Sequence, residues 1–175
     1  ILGGKLLMII EKAKKEDYIS IYNISKELNV KYNTNKENGV LLRIISKDYI
    51  VNNIEEFLVA RMDESIVGFL WYSTEYPKDM LAHTELVEDI DNCIYCEQIA
   101  VKKEFQGQHI GEDLYRFLKN IYKRKGIIVF VNIAPDGNKA SLAFHTSIGF
   151  KIVGEFYRED FCGFNDYKAN LLKLE

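Results

Sequence analysis

Residues 99–111, Ile-Ala-Val-Lys-Lys-Glu-Phe-Gln-Gly-Gln-His-Ile-Gly, carry the strongest chemical signal in the chain. A run suited to a strand leads into a short glycine-containing loop, and the loop opens a segment with apolar residues at helical spacing. A helix N-terminus presents backbone N–H groups without intrahelical partners and a partial positive charge, so it suits an anion such as phosphate. Glycine lets that backbone approach the anion closely. Many nucleotide-binding proteins have such a loop, but the spacing here is neither a Walker loop, which ends in a lysine–hydroxyl pair, nor GxGxxG. Cys93 and Cys96 have CxxC spacing. A metal needs a second ligand pair at suitable spacing, and none follows. On a strand, residues three apart face opposite sides, so this pair reads as two half-buried small residues.

Several elements must position that loop. Residues 8–13 read as a strand, and 16–28 as a helix with Ile21, Ile24 and Leu28 on one face. A polar loop over 29–39 and a weaker helix over 46–53 follow. Residues 57–62 and 66–74 are rich in branched and aromatic side chains and form a hairpin across Asp63-Glu64-Ser65. Residues 75–92 read as irregular and acidic, and 93–101 as a strand. Ile110, Leu114, Phe117, Leu118 and Ile121 share a helical face, with Gly126 as the stop. Residues 127–133 are a nearly continuous apolar run, as in a buried strand. Residues 139–147 are helical and closed by Gly149. Strands over 150–156 and 167–174, with a loop between them, end the chain. The order β-α-α-β-β-β-α-β-α-β-β describes an α/β (α+β) domain around a mixed sheet.

Composition narrows the classes. The chain has 175 residues, 47% hydrophobic and 13% aromatic, which excludes disorder. This length fits one domain, expected over residues 8–175, with residues 1–7 set aside as a leader or cloning remnant ahead of Met8. A formal net charge of −3 argues against a general nucleic-acid binder. No apolar run is long enough for a membrane span. Three cysteines suit a reducing compartment, and a cytoplasmic location is expected.

Two motifs in order now carry a resemblance. Gln106-Gly107-Gln108-His109-Ile110-Gly111 resembles the (Gln/Arg)-x-x-Gly-x-(Gly/Ala) motif of GNAT-type N-acetyltransferases, with His109 where glycine is usual. Asn138-Lys139-Ala140-Ser141-Leu142-Ala143-Phe144-His145, ending in Gly149-Phe150, resembles the family's Asn-x-x-(Ala/Ser)-x-x-(Phe/Leu)-(Tyr/His)-x-x-x-Gly-Phe segment. The opening residues 9–17 look like the family's first strand and helix start. The resemblance implies the GNAT fold: a central mixed, mostly antiparallel sheet of about seven strands, flanked by four helices, with its fourth and fifth strands parallel and splayed. It implies acetyl-CoA as cosubstrate and no metal. Ile99, Ala100 and Val101 would contact it through the main chain. Gln106, Gly107, Gln108, His109, Ile110, Gly111 and Glu112 would cradle its pyrophosphate. Asn138, Ser141 and Phe144 would line its arm.

The implied reaction is attack of a primary amine on the thioester in a ternary complex. The resemblance places Glu97 as base, with the N–H of Ala100 or Val101 at the oxyanion. Where many relatives have a tyrosine acid this chain has His145, either proton donor or tunnel wall, with Tyr95 and Tyr157 in reserve. Gln98 is expected on the opposite face from Glu97. If residue 109 needs a left-handed backbone, histidine costs about 1–2 kcal/mol there, which a ring bond to phosphate would offset. The acceptor is an amine of a small molecule or peptide. Six acids in residues 75–92, and Phe161, Phe164, Glu159, Asp160 and Asp166 in 157–166, favour a cationic one by attraction at the site mouth. The alternative is a silent relative that binds acetyl-CoA and acts as a sensor or assembly partner. An unrelated nucleotide-binding domain would leave the second motif unexplained. Self-association is compatible with the fold, but no residue pattern establishes a homodimer.

Overall fold

The computed structural model describes residues 7–33 and 39–175. The expected remnant over 1–7 lies, apart from Leu7, outside them, as do residues 34–38 of the 29–39 loop.

One eight-stranded sheet runs in the order β1-β2-β3-β5-β6-β8-β7-β4. β1 (Met8–Lys12), β2 (Phe57–Met62) and β3 (Ser65–Ser73) form an antiparallel meander. β5 (Cys93–Val101) pairs antiparallel with β3 and parallel with β6 (Gly126–Ala134). β8 (Phe164–Leu174), β7 (Lys151–Phe161) and β4 (Thr84–Leu86) complete the antiparallel half. The expected splayed pair is thus β5/β6.

Side-chain alternation sends each strand's apolar residues to two cores. One face packs Leu58, Ala60, Val67 and Leu70 against α4 (Ile110–Ile121). The other packs Phe57, Val59, Phe69 and Trp71 against α1 (Tyr18–Glu27) and α2 (Lys47–Asn52). Cys93 and Cys96 fall in different clusters, as residues three apart on a strand should, and both are buried. On α4 the buried residues are Ile110, Leu114, Tyr115 and Leu118. Ile121, expected on that face, is exposed, while Tyr115, outside the expected set, is buried in the core. The helix ends at Ile121; Gly126, expected as its stop, is the first residue of β6.

Two segments differ from expectation. Residues 75–92 contain a short helix, α3 (Lys78–Leu81), and β4, which pairs with the edge of β7. Residues 157–166 are the outer end of a long hairpin rather than a loop. β7 and β8 continue to a tight Cys162-Gly163 turn at φ 54 and 78. Two consecutive left-handed residues match the sheet's twist, and glycine adopts that conformation without steric cost. Among the described residues no helix is long and apolar enough to cross a membrane.

Candidate active site

β5 and β6 pair only from Cys93↔Gly126 to Cys96↔Val129. Beyond that point β6 continues to pair with β8, while β5 stays on β3. The divergence begins at a bulge. Tyr72 pairs with Cys96 and Trp71 with Gln98, so Glu97 is the extra residue. A bulge bends its strand and sharpens the twist, which opens the gap.

The bulge also changes which way side chains point. Ile94 and Cys96 lie in the α4-side core, and so do Ile99 and Val101, while Ala100 packs on the α1 side. Alternation therefore slips by one residue at Glu97. Gln98 is then not opposite Glu97. Its Nε2 donates to the Arg43 carbonyl (2.9 Å), and Glu97 Oε2 accepts from Arg43 Nη2 (3.3 Å). The expectation for Gln98 assumed unbroken alternation and fails at the bulge.

Main-chain directions alternate too. Lys102 N–H donates to Val67 O on β3, so Ala100 faces β3 as well, and the N–H and C=O groups of Ile99 and Val101 face the gap. Ala100 lines the cavity, with its N–H and C=O turned toward β3 rather than into the gap. The Val101 carbonyl accepts from Gln106 Nε2 (2.9 Å), which ties the loop to the strand end.

The gap opens into a cavity of about 1620 Å³, larger than a single small ligand needs. Glu97, Ile99, Ala100, Val101, Gln106, Gly107, His109, Ile110, Gly111, Glu112, Asn138, Ser141, Phe144 and His145 all line it. Gln108 does not; its side chain turns back toward the Glu104 carbonyl (3.5 Å).

At one end stands the N-terminus of α4. His109 is its N-cap, left-handed at φ 62, and makes no side-chain cap, so the first amide N–H groups remain open to the cavity. The His109 ring does not reach over the loop. It is mostly exposed, and Nδ1 donates to Glu112 Oε2 (3.2 Å). Glu112 also accepts from Arg116 Nη2 (3.0 Å), which offsets the carboxylate's repulsion of an anion there. Gly111 is needed for packing: a Cβ on it would lie 2.7 Å from Phe144 Cζ, so its absence lets α4 and α5 (Lys139–Ser147) approach. Asn138 is committed to the protein. Its Oδ1 accepts from Ser141 N–H (3.3 Å), capping α5, and its Nδ2 donates to the Val40 carbonyl (3.0 Å).

His145 is 1% exposed. Its Nδ1 donates to the Ser141 carbonyl (2.7 Å), which leaves Nε2 to accept from the Tyr115 hydroxyl (2.7 Å). Burial pushes its pKa down to about 4, opposed only in part by the Ser141 bond. A neutral ring with both nitrogens occupied has no proton to offer at neutral pH, so of the two roles expected for His145 the geometry supports the wall. Tyr157 is outside the cavity, its hydroxyl donating to Asp166 Oδ1 (2.8 Å). Tyr95 lines it, and burial raises its pKa.

At the other end sits Glu97. Burial raises its pKa, Arg43 opposes that rise, and Glu56 adds to it. The cavity is also lined by residues that no motif announces, Leu41, Leu42, Arg43, Tyr49, Trp71, Met80, Phe130 and Tyr167, together with Phe161. Of the six acids in residues 75–92, only Asp79 lines this cavity, and Arg158 Nη1 pairs with it (2.9 Å). Glu75 lines a smaller polar cavity nearby, together with Glu56 and Glu97. Asp79 lies on α3, Glu85 on β4, and Glu88, Asp89 and Asp91 follow β4, so the six acids expected to draw a cationic acceptor do not gather at one mouth. Among the described residues no cluster of His, Cys, Asp and Glu could hold a metal.

Solved structures share this fold. The ribosomal-protein-S18-alanine N-acetyltransferase of Escherichia coli aligns with a TM-score of 0.66 at 14% identity, over 96% of this chain and 93% of its own. The yncA protein of Salmonella typhimurium, solved with its cofactor acetyl-CoA, aligns at 0.68 and 18% identity over 97% and 94%. The paia N-acetyltransferase of Thermoplasma acidophilum, solved with coenzyme A, aligns at 0.67 and 17% identity over 97% and 99%. No curated protein sequence matches. The sequence profile described as "Acetyltransferase (GNAT) family" matches residues 18–150. With the splayed strands and the open helix N-terminus at one cavity, that match makes the chain a member of the GNAT acetyltransferase family.

Proposed function

We propose that residues 8–175 form one catalytic domain that transfers an acetyl group from acetyl-CoA to a primary amine of a small molecule or peptide. The observation that carries this reading is a single cavity with an anion-binding helix N-terminus at one end and a half-buried carboxylate, Glu97, at the other. The α4 N-terminus binds the pyrophosphate through backbone N–H groups. The gap-facing N–H and C=O of Ile99 pair with the pantetheine arm, which gives those main-chain groups hydrogen-bond partners.

The amine nitrogen forms its bond to the thioester carbonyl carbon, and Glu97 takes the amine proton, directly or through water. The Val101 N–H, whose strand geometry turns it into the gap, stabilises the oxyanion. The C–S bond then breaks. A thiol of ordinary pKa, about 8.5 for cysteine, leaves readily as thiolate and takes its proton from Glu97 or solvent, so the mechanism uses no acid from His145.

The test is thermal melting with acetyl-CoA, coenzyme A, ATP and NAD, followed by thiol release over a panel of amines. A ligand at 100 times its Kd that binds only the folded state adds about 2.7 kcal/mol. A shift with both coenzyme A forms alone, followed by turnover, is the expected result. A shift without turnover on any amine supports the silent relative instead. No shift with acetyl-CoA overturns the reading.

A further inference from the structure

Arg43 lies 54 residues from Glu97 in sequence, yet its Nη2 donates to Glu97 Oε2 at 3.3 Å. Its place is well determined. Gln98 Nε2 holds its carbonyl, Asn138 Nδ2 holds that of Val40, and the guanidinium stands 6.0 Å from the Trp71 ring centroid. The segment from Val40 to Arg43 is thereby strapped over the acceptor end by amides from β5 and α5. The guanidinium side chain stays 60% exposed, and Nε and Nη1 meet no acceptor among the described residues. A planar fork with unused N–H groups, next to the proposed base, is suited to an oxygen acceptor.

Resting on the acetyltransferase reading above, we infer that Arg43 and Glu97 together select an α-amino carbonyl acceptor, the N-terminal residue of a peptide or a free amino acid. In such a group the amine nitrogen and carbonyl oxygen are roughly 3 Å apart when eclipsed, by standard bond lengths. That matches the 3.3 Å between Arg43 Nη2 and Glu97 Oε2. The amine faces Glu97 while the oxygen faces Arg43, so each side chain adds a substrate contact to the ion pair they already form. A plain alkyl amine or a polyamine offers no oxygen and brings its positive charge against the guanidinium. Leu41, Leu42, Met80, Phe130, Phe161 and Tyr167 line the same end of the cavity and favour an apolar or aromatic side chain on the acceptor.

The test compares L-phenylalaninamide, a peptide with N-terminal phenylalanine and free L-phenylalanine with phenethylamine, which keeps the amine and ring but lacks the carbonyl. The readout is kcat/KM for thiol release, with the wild type and Arg43→Met, after acetyl-CoA thermal shifts have shown both to be folded and loaded. With each rate divided by the fraction of that amine which is neutral at the assay pH, since an α-amine titrates at about 8 and an alkyl amine at about 10, the expected wild-type preference for a carbonyl-bearing acceptor is roughly ten- to a hundredfold, the worth of a hydrogen bond to a charged group. In Arg43→Met the ratio falls toward one. A higher rate on the peptide or on the free amino acid identifies the source of the acceptor. Equal turnover of phenethylamine by the wild type, or a ratio unchanged in Arg43→Met, overturns this inference and leaves the acetyltransferase reading standing. No turnover of any acceptor by loaded protein sinks both.

Discussion

Replacing His145 tests the assignment of its ring to the cavity wall, through stability rather than rate. The side chain is buried and neutral, with a pKa pushed down to about 4. An unfolded histidine titrates near 6.5. Between those values the unfolded chain binds the extra proton and the folded chain does not, so stability falls as pH falls. The contribution is complete above pH 6.5 and drains away toward pH 4. Integrating the linkage from pH 7.5 to 5.0 gives a loss of about 2 kcal/mol. For a chain of this size that lowers Tm by roughly 4–8 °C. Glu97, whose pKa is raised, works the other way, gaining relative stability on acidification, so the informative quantity is a difference between proteins. Urea unfolding at pH 7.5, 6.0 and 5.0 of the wild type and His145→Gln supplies it. The variant can still accept from Tyr115, and it should lose about 2 kcal/mol less than the wild type over the window. Equal pH slopes in the two proteins would refute the argument, because the titration would then belong to other groups.

Glu97→Gln should lower kcat by roughly 10²–10⁴-fold, the usual worth of a general base, with the acetyl-CoA thermal shift retained; unaltered turnover would remove Glu97 from the mechanism. In the wild type, activity should be lost as pH falls through a pKa above the ordinary carboxylate value, and Arg43→Met should move that limb to higher pH, since Arg43 now lowers it; the pH dependence of kcat/KM checks both. His109→Gly should relieve the left-handed strain at φ 62 and stabilise the protein by about 0.5–1 kcal/mol, read by urea unfolding. Of the three cysteines, Cys162 is exposed, while Cys93 and Cys96 are buried, with burial raising the pKa of both, that of Cys96 to about 12. One thiol should therefore react rapidly with a chromogenic disulfide in the native protein and three after denaturation.

Much of this protein was legible in the sequence alone, wherever the controlling interactions are local. Strand alternation, helical spacing and Asn138 at a helix start are properties of neighbouring residues, so β5, α4 and α5 stand close to where the pattern placed them. The loop ahead of α4 was readable for the same reason, and His109 does take the left-handed conformation its position implied. What failed depended on partners far along the chain. The bulge at Glu97 arises from pairing with Trp71 and Tyr72, and nothing in residues 93–101 marks it; yet it opens the gap and turns Gln98 to the side of Glu97. β4 exists because β7 offers it an edge, and the outer halves of β7 and β8 because each satisfies the other's backbone. His145 has a helix position that proton donor and wall would both fit, and only the tertiary structure brings Tyr115, from another helix, to its Nε2. Arg43 sits in no motif. Its place beside Glu97 follows from amides on β5 and at the start of α5 that hold residues 40–43 against the cavity, a contact that exists only once the sheet has formed.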